Sequence, residues 1–343
     1  MVKNQAAIGM DRRWRRPGTG ALILAGMLVV LIVVPTTVDG SVLLRLSRLL
    51  ILGLFAASVN LVMGYTGLIT FGHAAFFAIG GYAVGMLLRE QVSLAFGFAA
   101  AVTLSTIAAA IIGYLCLRAK GIAFAILTLT FGQMVYMVIY QSPATGGQNG
   151  LSGFKAPLVT LAGLSINLDD PLTYYYFILL IVCIALALLW MLTISRFGQT
   201  IVAIREDEVR VSFLGVNVRN YKLLAFVLSG AFTAVAGALF APLQGVMTAD
   251  YASWTFSSVP ILMILLGGMF SFWGPLVGAG IFELFEYGTR GMAGISDVVI
   301  GALLLIVVMA LPGGVWEAGA SLQKFNGLLG QTRVSARDGS PHS

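Results

Sequence analysis

Residues 177–192 read FILLIVCIALALLWML, without one charged side chain, and residues 20–34, GALILAGMLVVLIVV, are as uninterrupted. Such a run has no polar face to turn toward water, whereas a hydrocarbon core is crossed by roughly 20 apolar residues wound as a helix. Similar runs recur from Gly20 to Pro312 between short polar breaks. The pattern predicts an all-α polytopic membrane protein of about ten transmembrane helices, within a range of about eight to ten. It argues against a β-barrel, whose strands alternate polar and apolar residues over about ten positions. Charged residues make up 10% of the chain and mean hydropathy is +0.94, where a soluble domain carries roughly 25% charge.

The expected spans are 20–38, 43–63, 73–88, 94–117, 121–141, 173–193, 223–243, 258–271, 273–288 and 295–312. Arg12, Arg13, Arg15 and Arg16 precede the first, and PTTVDG after it offers no convincing cleavage site. An uncleaved span that starts in the cytoplasm is therefore expected. Alternation then puts Arg118, Lys120, the loop 195–222 and a tail with Lys324, Arg333 and Arg337 in the cytoplasm, as the positive-inside rule prefers. Arg45, Arg48 and Arg89 fall on the other side, which asks for snorkelling or a re-entrant segment in the N-terminal third. The division is a basic cytoplasmic N-terminus at 1–19, a transmembrane domain at 20–312 and a cytoplasmic tail at 313–343. Topology also accounts for the net charge of +6 better than a nucleic-acid partner does. Cys116 and Cys183 lie inside apolar spans and read as small buried side chains.

Residues 64–82, GYTGLITFGHAAFFAIGGY, set five glycines and one of the two histidines within this apolar pattern. An unpaired backbone group in hydrocarbon costs several kcal/mol, about 4 to 8 on the least forgiving scale. The helix can break only where protein or water shields it. A discontinuity is expected at 64–72, with Thr66 and Thr70 satisfying freed backbone groups and His73 starting the next helix. The helix dipole disfavours imidazolium there, so neutral His73 is expected. A hydrogen-bonded structural role for His73 stands beside contact with a substrate or gate; a metal site would need companions that the sequence does not place nearby. A weak echo of Gly67, Leu68, Ile69, Thr70 and Phe71 occurs at Gly268, Met269, Phe270, Ser271 and Phe272, each leading into an apolar run. Two related halves would produce it.

Gly81 with Gly85, and Gly274 with Gly278, are spaced for close helix packing. The outward loop 141–172 contains SPATGGQNGLSG, which demands turns and is long for a bundle connection. Gln133 and Tyr136, a turn apart, can line a path or join helices. Glu283 and Glu286 share one helix face, which should turn toward the interior, a subunit interface or a membrane boundary.

The loop 195–222 holds Arg196, Arg205, Glu206, Asp207, Glu208, Arg210, Arg219 and Lys222, eight of the 34 formal charges (20 basic and 14 acidic). Apolar Ile201, Ile204, Val209 and Phe213 fit one short amphipathic helix over 199–213, with the acids near its middle and Gly215 closing it. Basic residues alone would serve topology, so the acids argue for a surface that docks a soluble partner. None of the five lysines follows a glycine, so no Walker A loop is present. Asp250, Glu283 and Glu286 do not form the acid and base series of a proton relay.

Four segments resemble signatures of the LivM-type permease subunits of bacterial ABC importers for branched-chain amino acids. They are NLVMGYTGLITFGHAAFFAIGGYA; LTLTFGQMVYMV followed by TGGQNGL; AIREDEVRVSFLGVNVRNYKLLAFVLSGAFTAVAGAL; and GGMFSFWGPLVGAGIFELFE. The similarity covers about residues 50 to 312. It implies an importer permease fold with broken or re-entrant helices in the bacterial inner membrane. It also implies a second permease subunit of the LivH type, two cytoplasmic ATPase subunits that bind the ATP, and a periplasmic substrate-binding protein. No catalytic, metal or cofactor site is expected in this chain. By the same resemblance Arg205, Glu206, Asp207, Glu208, Leu214 and Gly215 couple to the ATPase. Val209, Arg210, Val211 and Ser212 stand where the family has an alanine pair, so the partner's groove is expected to differ. Exposed backbone groups at 64–72 and 268–275 would steer a zwitterionic amino acid, making Gly64, Thr66, Gly67, Thr70, Gly72, His73, Gln133, Gly268 and Gly274 the path or gate candidates. A permease subunit for urea or short amides, an autonomous channel and an ion-coupled carrier remain alternatives on sequence.

Overall fold

The computed structural model describes residues 39–154, 158–161 and 164–289, with 31, 35, 301, 302, 314 and 315 besides. The expected spans 20–38 and 295–312 fall almost wholly outside the described residues, as do the basic N-terminus and most of the tail. Between them every expected span meets a helix. These are α1 (Gly40–Thr66), α2 (His73–Arg89), α3 (Leu94–Cys116), α4 (Ile122–Gln141) and α5 (Pro171–Ile194). After two short helices, α6 (Arg196–Glu206) and α7 (Glu208–Phe213), come α8 (Val218–Gln244), α9 (Trp254–Gly267) and α10 (Gly274–Thr289). Five of them (α1, α3, α4, α5 and α8) are long and apolar enough to cross a membrane, and α2 and α9 are shorter apolar helices.

Local chemistry sets the ends. Asp170 caps α5 by accepting from the Thr173 amide at 3.0 Å, and Pro171 follows at the first helical position. Ser253 caps α9, accepting from the Phe256 amide at 3.2 Å, and Gly268 at φ 115° ends it. That helix therefore starts and stops four residues before the expected 258–271. Gly245 at φ 66° ends α8.

The protein buries 67% of the most apolar window of α1 and 61% of that of α8, against 28% for α3 and α4. The first two are thus the centre of the bundle and the others its rim. Helix α8 runs against α1, α2 and α3, while α9 and α10 form a hairpin on α1. Lipid offers no hydrophobic gain for such association, so close backbone approach carries it. A Cβ on Gly80 would meet the Ala234 carbonyl, and one on Gly237 the Phe77 carbonyl. The α2–α8 crossing uses Gly80 with Gly81, not Gly81 with Gly85. Gly85 faces Leu151 and Phe154, because the chain after α4 folds back over α2. Gly278 of α10 sits against the Met263 carbonyl, as its spacing suggested. Replacing Gly237 with valine is expected to overpack this crossing by about 1–3 kcal/mol or more. Reduced yield and a lower melting temperature in detergent would register it, and an unchanged melting curve would refute it.

One end of the bundle, the near end, gathers 64–72, 117–121, 195–217 and 268–273. Lys120 lies 3.5 Å from Glu208, and Arg219 donates to the Tyr114 carbonyl at 3.1 Å. Arg118, Lys120 and the charged loop therefore share a side. At the far end the connection after α4 contains two single-turn helices (Pro143–Thr145 and Gly147–Asn149) and short strands where only turns were expected. β1 (Leu151–Ser152) pairs antiparallel with β4 (Val246–Met247), and β2 (Leu158–Leu161) with β3 (Leu164–Asn167).

Candidate functional site

The expected discontinuity is present. Gly67 adopts φ 73° and ends α1, and its amide and that of Leu68 both return to the Val62 carbonyl. The Thr66 hydroxyl donates to the same carbonyl at 2.5 Å. Beyond the turn, Thr70 Oγ1 accepts from the Gly72 amide at 3.4 Å, so Thr70 serves a freed backbone group as expected, whereas Thr66 bonds a carbonyl that backbone amides already reach. Other helices supply the rest: Thr128 Oγ1 of α4 accepts from Phe71 at 3.3 Å, and Ser257 Oγ of α9 accepts from Ala74 at 3.0 Å. The Ala74 and Ala75 amides, two of the four orphans that open α2, are thus paired, with Ser257 and with the Gly72 carbonyl. Gly72 is needed because a Cβ there would strike the Thr128 carbonyl.

His73 is 1% exposed and held edge-on by the Phe76 and Phe226 rings. Its Nε2 lies 2.9 Å from Ser229 Oγ and its Nδ1 3.1 Å from Thr70 Oγ1. Ser229 gives its single hydroxyl hydrogen to the Ser58 carbonyl, at 2.5 Å, so His73 Nε2 must be the donor. A neutral ring then leaves Nδ1 to accept from Thr70. Ser58 in turn donates to the Phe55 carbonyl at 2.7 Å and meets Thr233 Oγ1 at 2.8 Å. This polar chain ties α1, α2 and α8 together, with buried His73 as its pivot.

The echo segment is a second break. Gly268 has φ 115°, and the 268–273 turn packs beside the first break. Asn60 Nδ2 donates to the Ser271 carbonyl at 3.2 Å, and a Cβ on Gly64 would collide with the Met269 carbonyl. Gly274 opens α10 with no room for a side chain against Gly268. Gln133 stands apart on α4. Its Oε1 is enclosed and has no hydrogen-bond partner among the described residues, so no bond of that oxygen joins two helices.

The loop 195–222 departs from expectation. One amphipathic helix with central acids was predicted, yet Asp207 is extended (φ −155°, ψ 93°) and splits the segment into α6 and α7. Asp207 instead caps α7, its Oδ1 accepting from the Arg210 amide at 2.9 Å. The apolar stripe divides accordingly. Ile201, Ile204 and Val211 are buried, whereas Val209 is 62%, Phe213 85% and Leu214 78% exposed. Gly215 closes the segment at φ 81°, as expected. Glu208 receives Lys222 Nζ at 2.7 Å, and this hydrogen bond holds its carboxyl below the usual carboxylate range. Glu206 points outward. Arg205 does not: its guanidinium donates to the Gly64 carbonyl and lies 5.0 Å over the Phe270 ring.

Sequence reasoning missed Ser58, Asn60, Thr128, Ser229, Thr233 and Ser257. Their signal was available, as small polar side chains in apolar helices mark buried faces. It also missed the partners of Arg48, which donates to both carboxylate oxygens of Glu286 at 2.7 and 3.1 Å, with Nε 3.8 Å from Glu283. Arg45 lies 3.8 Å over the Tyr287 ring. Two of the three arginines on the unexpected side, Arg45 and Arg48, are thus paired with α10.

A family model described as the permease component of branched-chain amino acid transport systems matches residues 41–308. The high-affinity branched-chain amino acid transport system permease protein LivM of Escherichia coli strain K12 is 30% identical over 322 residues, covering 85% of this chain and 74% of that protein. LivM of Salmonella typhimurium is 29% identical over 318 residues, with the same coverage of both chains. LivH of E. coli K12 is 26% identical over 280 residues, covering 76% of this chain and 90% of LivH. No solved structure gives a significant match. With its apolar helices, two shielded helix breaks and matched segments spanning nearly the whole bundle, the chain belongs to the branched-chain amino acid transport permease family and is of the LivM type.

Proposed function

We propose that this chain is one of two permease subunits of an ATP-driven importer that carries branched-chain amino acids across the inner membrane. Its partners are a LivH-type permease, two ATPase subunits that bind the nucleotide, and a periplasmic binding protein. In this reading ten helices cross the membrane, both termini and the near end face the cytoplasm, and Glu206, Asp207, Glu208, Leu214 and Gly215 belong to the coupling surface. The breaks at 64–72 and 268–273 are where the path opens and closes.

The observation that carries the reading is the uncovered apolar triad of Val209 and Phe213 on α7 with Leu214 at its C-terminal cap, beside the acids and clamped to α8 through Glu208 and Lys222. A short helix outside the bundle gains nothing from such exposure unless a soluble partner covers it. The relatives' names supply the substrate class. Exposed positions tolerate substitution within about 0.5 kcal/mol, so Phe213→Asp is expected to fold normally. It should weaken co-purification with the ATPases at least tenfold, on the order of 1.4 kcal/mol. Charge reversal of Glu206, Asp207 and Glu208 together should act alike. Survival of the complex and of ATP-driven leucine uptake in both variants would refute the assignment, as would leucine movement by the purified chain alone in liposomes.

A further inference from the structure

We propose that Arg205 is a positioning residue that fastens the coupling helices to both helix breaks at once. The inference rests on the proposed ATP-driven function and gives Arg205 a different task from its neighbours Glu206 and Asp207. It sits in the last turn of α6, adjoining the break that starts α7. Its guanidinium edge binds the Gly64 carbonyl, one of the last four of α1, which have no partner within their own helix. Its face covers Phe270 in the second break. Its stem fills the space beside Gly67, where a Cβ would come within 2.9 Å of Arg205 Cγ.

Three segments converge on this side chain. Gly64 also abuts the Met269 carbonyl, so the end of α1 and the 268–273 turn are already in contact where Arg205 joins them. A displacement of α6 and α7 must carry both breaks with it or tear two contacts of one charged group. Only a planar guanidinium presents donors at its edge and a face to a ring together; lysine can satisfy one of these demands. Phe270 is 57% exposed, so the ring has little other packing to hold it and the cation supplies its fixed neighbour.

The test uses the assembled transporter in liposomes, reading ATPase co-purification, ATP hydrolysis and labelled leucine uptake separately. Arg205→Met is expected to retain ATPase binding within twofold while leucine carried per ATP falls at least tenfold. Arg205→Lys should recover part of that ratio, an effect that a merely structural role would not show. If Arg205→Met loses ATPase binding as Phe213→Asp does, or transports normally, the assignment is overturned. Should Arg205→Met fail to fold, Arg205→Lys, Phe270→Leu and their combination decide. A shared link predicts that the double variant is no worse than the poorer single one, and multiplied losses would overturn it. If the wild type neither binds ATPases nor takes up leucine, the functional proposal falls first and this one with it.

Discussion

Gly72→Val is expected to abolish uptake, and Gly67→Val to do so by a different route. At Gly72 the backbone is ordinary (φ −106°), so the objection is spatial: a Cβ lands on the Thr128 carbonyl, which is main chain and cannot rotate away. The same residue's hydroxyl accepts the Phe71 amide, so pushing α4 outward also strips a hydrogen bond from the break. Overpacking of about 1–3 kcal/mol adds to the cost of freeing a shielded amide, about 1–3 kcal/mol by itself. Gly67 is constrained by its φ of 73°, a region that costs a side-chain-bearing residue roughly 1–2 kcal/mol, and the Arg205 stem crowds it further. Gly280→Ala, where nothing lies within 4 Å of the added carbon, is the matched control and should transport normally. Labelled leucine uptake beside the yield of monodisperse protein measures both consequences. Normal uptake in both valine variants would remove the breaks from any account of transport.

The second large effect is at the far end. Arg48→Ala is expected to destabilise the fold by up to about 3–5 kcal/mol, because it removes a cation that two carboxylates share. Glu283 is 6% exposed and cannot turn to water, and Glu286 loses a bidentate pairing with good geometry. The arginine triple variant Arg48→Met, Glu283→Gln, Glu286→Gln should recover most of the loss, since removing all the charges also removes the desolvation they suffer. Thermal unfolding followed by size-exclusion chromatography reads both. A single variant as stable as the wild type, or a triple variant as weak as the single, would contradict the clasp between α1 and α10.

The two charged regions show how far local pattern reaches. Acids at 206–208 stood out in the sequence because topology needs only basic residues, and the proposed docking surface starts from that. That Asp207 would stop one helix and cap the next was not read from the sequence: its extended backbone lies between buried Ile204 and Val211, within the stretch that apolar spacing had joined into one helix. Arg205 looked like its neighbours in sequence, and only the approach of α1 and the 268–273 turn drew it inward. Arg48 and Glu286 lie 238 residues apart, and no periodicity relates two positions at that distance.

What the sequence determined by itself was the class of solution: long apolar runs permit only spanning helices, and glycines with threonines in an apolar context mark where a helix may stop without orphaning its backbone. Both follow from short-range physics, since each backbone group in hydrocarbon must find a partner within a few residues or be shielded. Tertiary structure alone decided who does the shielding and which faces remain open. Thr128, Ser257 and Ser229 reach the first break from three other helices, and Gly64 meets the second break across more than 200 intervening positions. Those contacts depend on how α1 and α8 pack at the centre, and that packing is a property of the assembled bundle rather than of any one segment.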